Sequence, residues 1–424
     1  MTRDIDSFKG HPYPINLPLL QFKPSKQSES SFKVMVITDT HLLDDQTVPG
    51  NASNVAIASR NAVRTYVSQE QPDFVVHLGD LISGEAANNT KDVQNAIREI
   101  LSPMKDKRIP FSTTKGNHDN DKYSTHGRIT DIERNYAPSL SYTRKAPKNV
   151  GGGEYGTDNY WVPIFPSGFV DPNKVPPKVL LWFFDSRAGR KMLSQGSGPV
   201  DDWVDDSVAD WINSETEKME KAWGHVPPGL IFVHIPVHEH YTTQNDSPYS
   251  DHVGGVPDET PANYTNKGLQ YEGLNDDKPL ASQGQENDQC EYKFISNINL
   301  TLINSYFPPS DIYAGQDRSF LNAFMESKAG KAYIHGIVSG HDHGNDWCAP
   351  SSLKSSVGQI VPVCFAKHSG YGGYDYDNWN HGARIFQFNE ENVQSGVETY
   401  VRFETGEKRY STNLNSKWAT EVPA

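Results

Sequence analysis

A chain of 424 residues, 36% hydrophobic and 22% charged, has ample material for a deep core, and its 33 Gly and 28 Pro point to many long loops. The formal net charge of −14 weighs against a nucleic-acid duplex as partner, because gripping a polyanion needs clustered Lys and Arg. No apolar run approaches the roughly 20 residues of a membrane span, and an acidic surface suits cation capture.

In chain order, residues 1–31 read as an N-terminal extension rich in Pro, Ser and Lys, in which Leu17, Leu19 and Leu20 around Pro18 suggest an edge strand. From Phe32 to about residue 404 a single domain is expected. Short apolar runs of strand character each stop at a Gly, Asp, Asn or His cluster, the rhythm of a layered α/β enzyme. The runs are Val34–Ile37, Phe74–Val76, Leu180–Phe184, Leu230–Val233 and Ile334 with Ile337 and Val338. Helical spacing covers Asn54–Val67 and Val93–Leu101. Residues 239–290, dense in Asn, Asp, Gly, Pro and Gln, read as a long loop-rich insertion. The polar tail, 405–424, closes the fold or frays.

The start, Met1-Thr2-Arg3-Asp4-Ile5-Asp6, lacks the apolar stretch of a signal peptide, which fits an intracellular protein or a mature secreted form. Sequons at Asn51, Asn88, Asn245, Asn263 and Asn299 favour a secreted glycoprotein. Of three cysteines, Cys348 and Cys364 flank a short polar segment that a disulfide would close, leaving Cys290 unpaired.

The chemistry sits where the apolar runs stop, at Asp39-Thr40-His41, Gly79-Asp80, Gly116-Asn117-His118-Asp119, His234 and Gly340-His341-Asp342-His343. Loops at one end of a sheet can converge although their residues lie far apart in sequence. Carboxylate, amide and imidazole donors without thiolate suit first-row ions such as Zn, Mn or Fe. Asp39, His41, Asp80, Asn117, His234, His341 and His343 are too many for one ion and enough for two. Two ions roughly 3.5–4 Å apart clamp the attacking and leaving oxygens of a phosphoryl transfer.

This ordered set resembles the calcineurin-like metallophosphoesterases. The stretch Gly340–Cys348, followed by Cys364-Phe365 and Ser369–Tyr374, resembles their branch of fungi and plants related to purple acid phosphatases. The resemblance implies a four-layer βαβα sandwich of two mixed sheets flanked by helices. It implies one ion held by Asp39, His41, Asp80 and His343, and a second held by Asp80, Asn117, His234 and His341, with Asp80 as the bridge. Hydrolysis by a metal-bridging hydroxide would follow, on a small-molecule phosphate ester. A phosphomonoesterase is the first reading; a phosphodiesterase acting on nucleotides or phospholipid head groups, a phosphoprotein phosphatase and a catalytically silent metal-binding module are the alternatives. His118 is the expected acid, with Asp119 orienting its ring, and His238 and His240 are candidates to touch substrate.

One departure stands out. Where the purple enzymes carry Gly-Asp-x-x-Tyr, this chain reads Gly79-Asp80-Leu81-Ile82-Ser83, and His41 supplies an imidazole that those enzymes lack. A neutral imidazole in place of a phenolate favours divalent over ferric ions.

Overall fold

A computed structural model describes residues 17–420 apart from 25–29, 45–51, 169, 173, 197, 246, 248–249, 251–252, 256–270, 279, 286–312 and 377–378. Among the described residues the strands are β1 (Ser31–Ile37), β2 (Phe74–Leu78), β3 (Phe111–Thr114), β4 (Tyr160–Ile164), β5 (Val179–Phe184), β6 (Gly229–Val233), β7 (Val253–Gly255), β8 (Tyr271–Leu274), β9 (Ile334–Ser339), β10 (Cys348–Lys354), β11 (Ile360–Phe365), β12 (Gly382–Asn389), β13 (Glu398–Phe403) and β14 (Lys408–Asn413). Each expected apolar run lies within a strand. The two expected helices span Ala52–Glu70 and Thr90–Lys107, the second capped by the Asn89 side chain, which accepts from the Lys91 and Asp92 N–H groups.

Two mixed six-stranded sheets form, ordered β14-β13-β12-β1-β2-β3 and β10-β11-β9-β6-β5-β4. In the first, β1, β2 and β3 run parallel; in the second, β5, β6, β9 and β11 do. Side-chain alternation explains how the sheets stack. From β1, Phe32, Val34 and Val36 join Leu181, Phe183, Leu230 and Phe232 of the other sheet in one inner core. Met35 and Ile37 point the opposite way, onto Val63, Tyr66, Ile97 and Ile100 of the two helices. Leu180, Trp182 and Phe184 of β5 likewise face outward onto Trp211, Ile212 and Phe324. The expected pair of mixed sheets flanked by helices is therefore present, stacked in the order helix, sheet, sheet, helix. Trp182 is completely buried, and truncating such a side chain typically costs ~3–5 kcal/mol.

Two expectations need correcting. The leucines near residue 18 form no strand: Leu20 O and Phe22 N bond Phe165 at the end of β4, through an isolated bridge. The insertion is not wholly irregular, since it opens in a helix, His238–Asn245, and contributes β7 and β8, which pair in parallel. The helix has almost no apolar periodicity, and for that reason its sequence does not announce it. The tail closes the fold, with β14 forming the outer edge of the first sheet. Cys348 and Cys364 sit opposite each other on β10 and β11 and are joined by a disulfide in the inner core. Cys290 and the sequons at Asn51, Asn263 and Asn299 lie outside the described residues. Asn88 is exposed, and the half-buried Asn245 donates its amide to Tyr241 O.

Candidate metal centre

Parallel strands of both sheets release their chains at the same rim. β1 leads to Asp39 and His41, β2 to Asp80, β3 to Asn117, β6 to His234 and β9 to His341 and His343. The turns are tight enough to force unusual backbone: Asp39, His41, Asp80 and His341 all have positive φ, at 53°, 43°, 48° and 74°. Left-handed backbone is costly for residues with a Cβ and persists where packing over-determines it, commonly at functional sites. Glycine is required beside them. A Cβ on Gly116 would stand 2.2 Å from Asp80 Oδ1 and 2.5 Å from His234 Nε2, and one on Gly79 would strike the His234 ring.

The structure brings all seven expected ligand side chains into one buried cluster. Asp39, His41 and His343 can present one donor atom each to a common ion, as can Asp80, His234 and His341. Asp80 Oδ2 lies 3.2 Å from His234 Nε2 and 3.4 Å from His41 Nε2, so a single carboxylate oxygen faces both sets. Asn117 Oδ1 stands 3.2 Å from His234 Nε2 and 3.1 Å from His341 Nδ1. Backbone carbonyls orient two of the rings: His234 Nδ1 donates to Leu78 O and His343 Nδ1 to Tyr374 O, which turns each Nε2 inward, an arrangement usual for metal-binding imidazoles.

Electrostatics also favour a cation. Burial lowers His41 and His341 well below the ordinary histidine value, keeping both rings neutral. Burial raises the Asp39 carboxyl, a cost only partly offset by His234 and His343. Burial would raise Asp80 too, but the charge and hydrogen bond of His234, with His118 beside it, outweigh it and hold the carboxyl well below its ordinary value. Burial would lower His234, yet the Asp80 charge and hydrogen bond push it up to about 10. His41 Nε2 is buried with no hydrogen-bond partner. Two buried carboxylates ringed by imidazoles with an orphaned nitrogen fit divalent ions, whose ligands must be deprotonated.

His118 lies at the edge of this cluster, its ring 4.8 Å from that of His41 and its backbone N–H donating to Asp80 Oδ1. The partner of its Nδ1 is Glu85 Oε1 at 2.9 Å. Asp119 does something else: Oδ1 accepts from the Leu81 and Ile82 N–H groups and Oδ2 from Gly116 N–H, tying two ligand loops together. None of these three bonds reaches the His118 ring. His240 turns into the core against Phe365 and bonds Cys364 O, and burial pushes its pKa down to about 4. His238 is half-buried and stacks on Tyr313 at 3.5 Å. Neither belongs to any of the ligand groups among the described residues.

Three neighbours have contacts that the sequence does not reveal. Glu85 follows Gly84 in a single turn of 3-10 helix after the Asp80 loop. Ser83, the residue at which the chain departs from the purple-enzyme motif, has its Oγ 3.2 Å from His41 Nδ1 and so helps to fix that ring. Tyr374 stacks flat on His343 at 4.1 Å. Behind the Asn117 loop, His126 bonds the Asp185 carboxylate through Nδ1 and Gly116 O through Nε2; two acceptors require two ring protons, so this buried ring is an imidazolium.

The family model for calcineurin-like phosphoesterases matches residues 32–249. A protein named probable inactive purple acid phosphatase 28 of Arabidopsis thaliana is 23% identical over 407 residues, spanning 90% of this chain and 83% of that one. A Saccharomyces cerevisiae protein named phosphatase DCR2 is 24% identical over 226 residues, 51% of this chain and 36% of that one. The solved structure of a purple acid phosphatase from yellow lupin seeds aligns with a TM-score of 0.44 at 10% identity, over 92% of this chain and 55% of that one. With the family model spanning half of its length, the chain belongs to the calcineurin-like phosphoesterases.

Proposed function

We propose that this protein is a phosphomonoesterase that works with two divalent ions, Zn, Mn or Fe(II), on a small-molecule phosphate ester. The observation that carries the reading is Asp80 Oδ2, which faces His41 on one side and His234 on the other and so can serve two ions at once. The ions would supply an activated water and charge to hold the phosphate oxygens. The protein's part is to keep His41 and His341 neutral, to fix the His234 and His343 rings through backbone carbonyls, and to bury the set away from bulk water. His118, about one-third exposed, is suited to hand a proton to the leaving oxygen, and Glu85 orients its ring.

The disulfide and the exposed Asn88 sequon support a secreted, oxidising setting. A second reading, a catalytically silent metal-binding module, is favoured by the word inactive in the name of the Arabidopsis relative. Assaying monoesters, nucleotide and phospholipid diesters and a phosphoprotein with each added ion separates these readings. Turnover confined to monoesters supports the proposal, and turnover of diesters or phosphoprotein alone overturns it. Bound metal with no turnover of any ester establishes the silent module.

A further inference from the structure

We propose that His368, Asp375 and His381 form a third cation site, distinct from the seven-residue cluster and suited to a divalent ion of the zinc class. One nitrogen from each imidazole and one Asp375 oxygen all lie within 4.8 Å of one another. His368 follows β11, His381 immediately precedes β12, and Asp375 sits on the loop between them, so three chain positions fixed by two strand ends meet here.

An ordinary ion pair explains part of the arrangement, since His381 Nε2 lies 2.8 Å from Asp375 Oδ2. It does not explain His368. That ring is 1% exposed, and its Nε2 donates to Gly372 O at 3.2 Å, which leaves the lone pair on Nδ1. Nδ1 is buried without a hydrogen-bond partner. A neutral imidazole whose far N–H is held by a backbone carbonyl, with its other nitrogen unused, is prepared as a metal ligand. Two imidazoles and a carboxylate are a common zinc set that leaves a fourth position for water. The Asp375 and His381 side chains are 19% and 9% exposed, so an ion can reach them from solvent.

Occupancy would have a local consequence. Between His368 and Asp375 the chain passes Gly373, where a Cβ would stand 2.5 Å from the His343 ring, and Tyr374, which stacks on that ring. An ion here pins the loop that walls the first cluster.

The test is zinc stoichiometry of the full chain, stripped with chelator, dialysed against Zn2+ and washed. Asp375→Asn, which keeps size and removes the anionic ligand, should hold one zinc fewer than the parent chain, and His381→Ala should match it. The same one-zinc difference should appear when Asp375→Asn is made in an Asp80→Ala chain, so this site is read separately from the seven-residue cluster. Equal zinc in the parent chain and Asp375→Asn, on both backgrounds, would overturn the proposal.

Discussion

Replacing His118 by alanine removes the expected proton donor without touching any of the seven clustered ligands. General acid help is typically worth ~10²–10⁴ in rate, and turnover of an alkyl phosphate should fall within that range. Glu85→Gln should act through His118 and more weakly. The two side chains are 36% and 49% exposed, so solvent screens their pairing, and such a pair is worth at most ~1 kcal/mol, or about fivefold in rate. In the His118→Ala background, Glu85→Gln should have no further effect, because the two act as a unit. The assay compares an alkyl ester with a nitrophenyl ester, whose leaving group needs little protonation; the loss in His118→Ala should be much smaller for the second. His118 can also join His41 and Asp80 around an ion, so zinc content must be measured alongside. An equal loss for both esters, or one ion missing from His118→Ala, would refute its role as an acid.

Asp80→Ala should empty both positions of the cluster, since Asp80 Oδ2 lies 3.4 and 3.2 Å from His41 and His234 and so faces both ligand sets more closely than Asp39 Oδ1, at 3.7 and 3.9 Å from His343 and His234, does; losing a single ion on metal analysis would point to Asp39 as the bridge. The metal-loaded chain should be colourless, because none of the seven clustered ligand candidates is a tyrosine, and a strong visible band from tyrosinate-bound ferric iron would contradict this. A pH effect on stability is expected from His126. Burial works against its charge, but the Asp185 carboxylate raises its pKa above the ordinary 6.5. The stabilisation is therefore complete below pH 6.5 and fades as pH rises through the folded value. Thermal melts of the parent chain and His126→Gln should converge above that value, and a constant gap would show that the ring's charge does not contribute.

The strands and the convergence of the seven side chains were legible because apolar runs are long-range features of composition, and each ends in a residue that could hardly be there for packing. The two helices on the first sheet were legible for the same reason: Val63, Ile97 and Ile100 repeat at helical spacing and face a sheet. What stayed hidden has short-range or tertiary causes. The helix at His238–Asn245 has no apolar stripe, and its two histidines are fixed by Tyr313 and by Cys364 O, neighbours 75 and 124 positions away. Asp119 looked like the natural partner of His118 because it follows it directly. A 3-10 turn instead points its carboxylate back at Gly116 N, and the ring finds Glu85, 33 positions earlier in the chain.

Turnover of a phosphate monoester by the chain loaded with divalent ions decides whether this arrangement of ligands works as a dinuclear phosphoesterase. The expected result is hydrolysis that requires added Zn, Mn or Fe(II), with two ions lost when Asp80 is removed. A chain that holds those ions and hydrolyses no ester with any of them would contradict it.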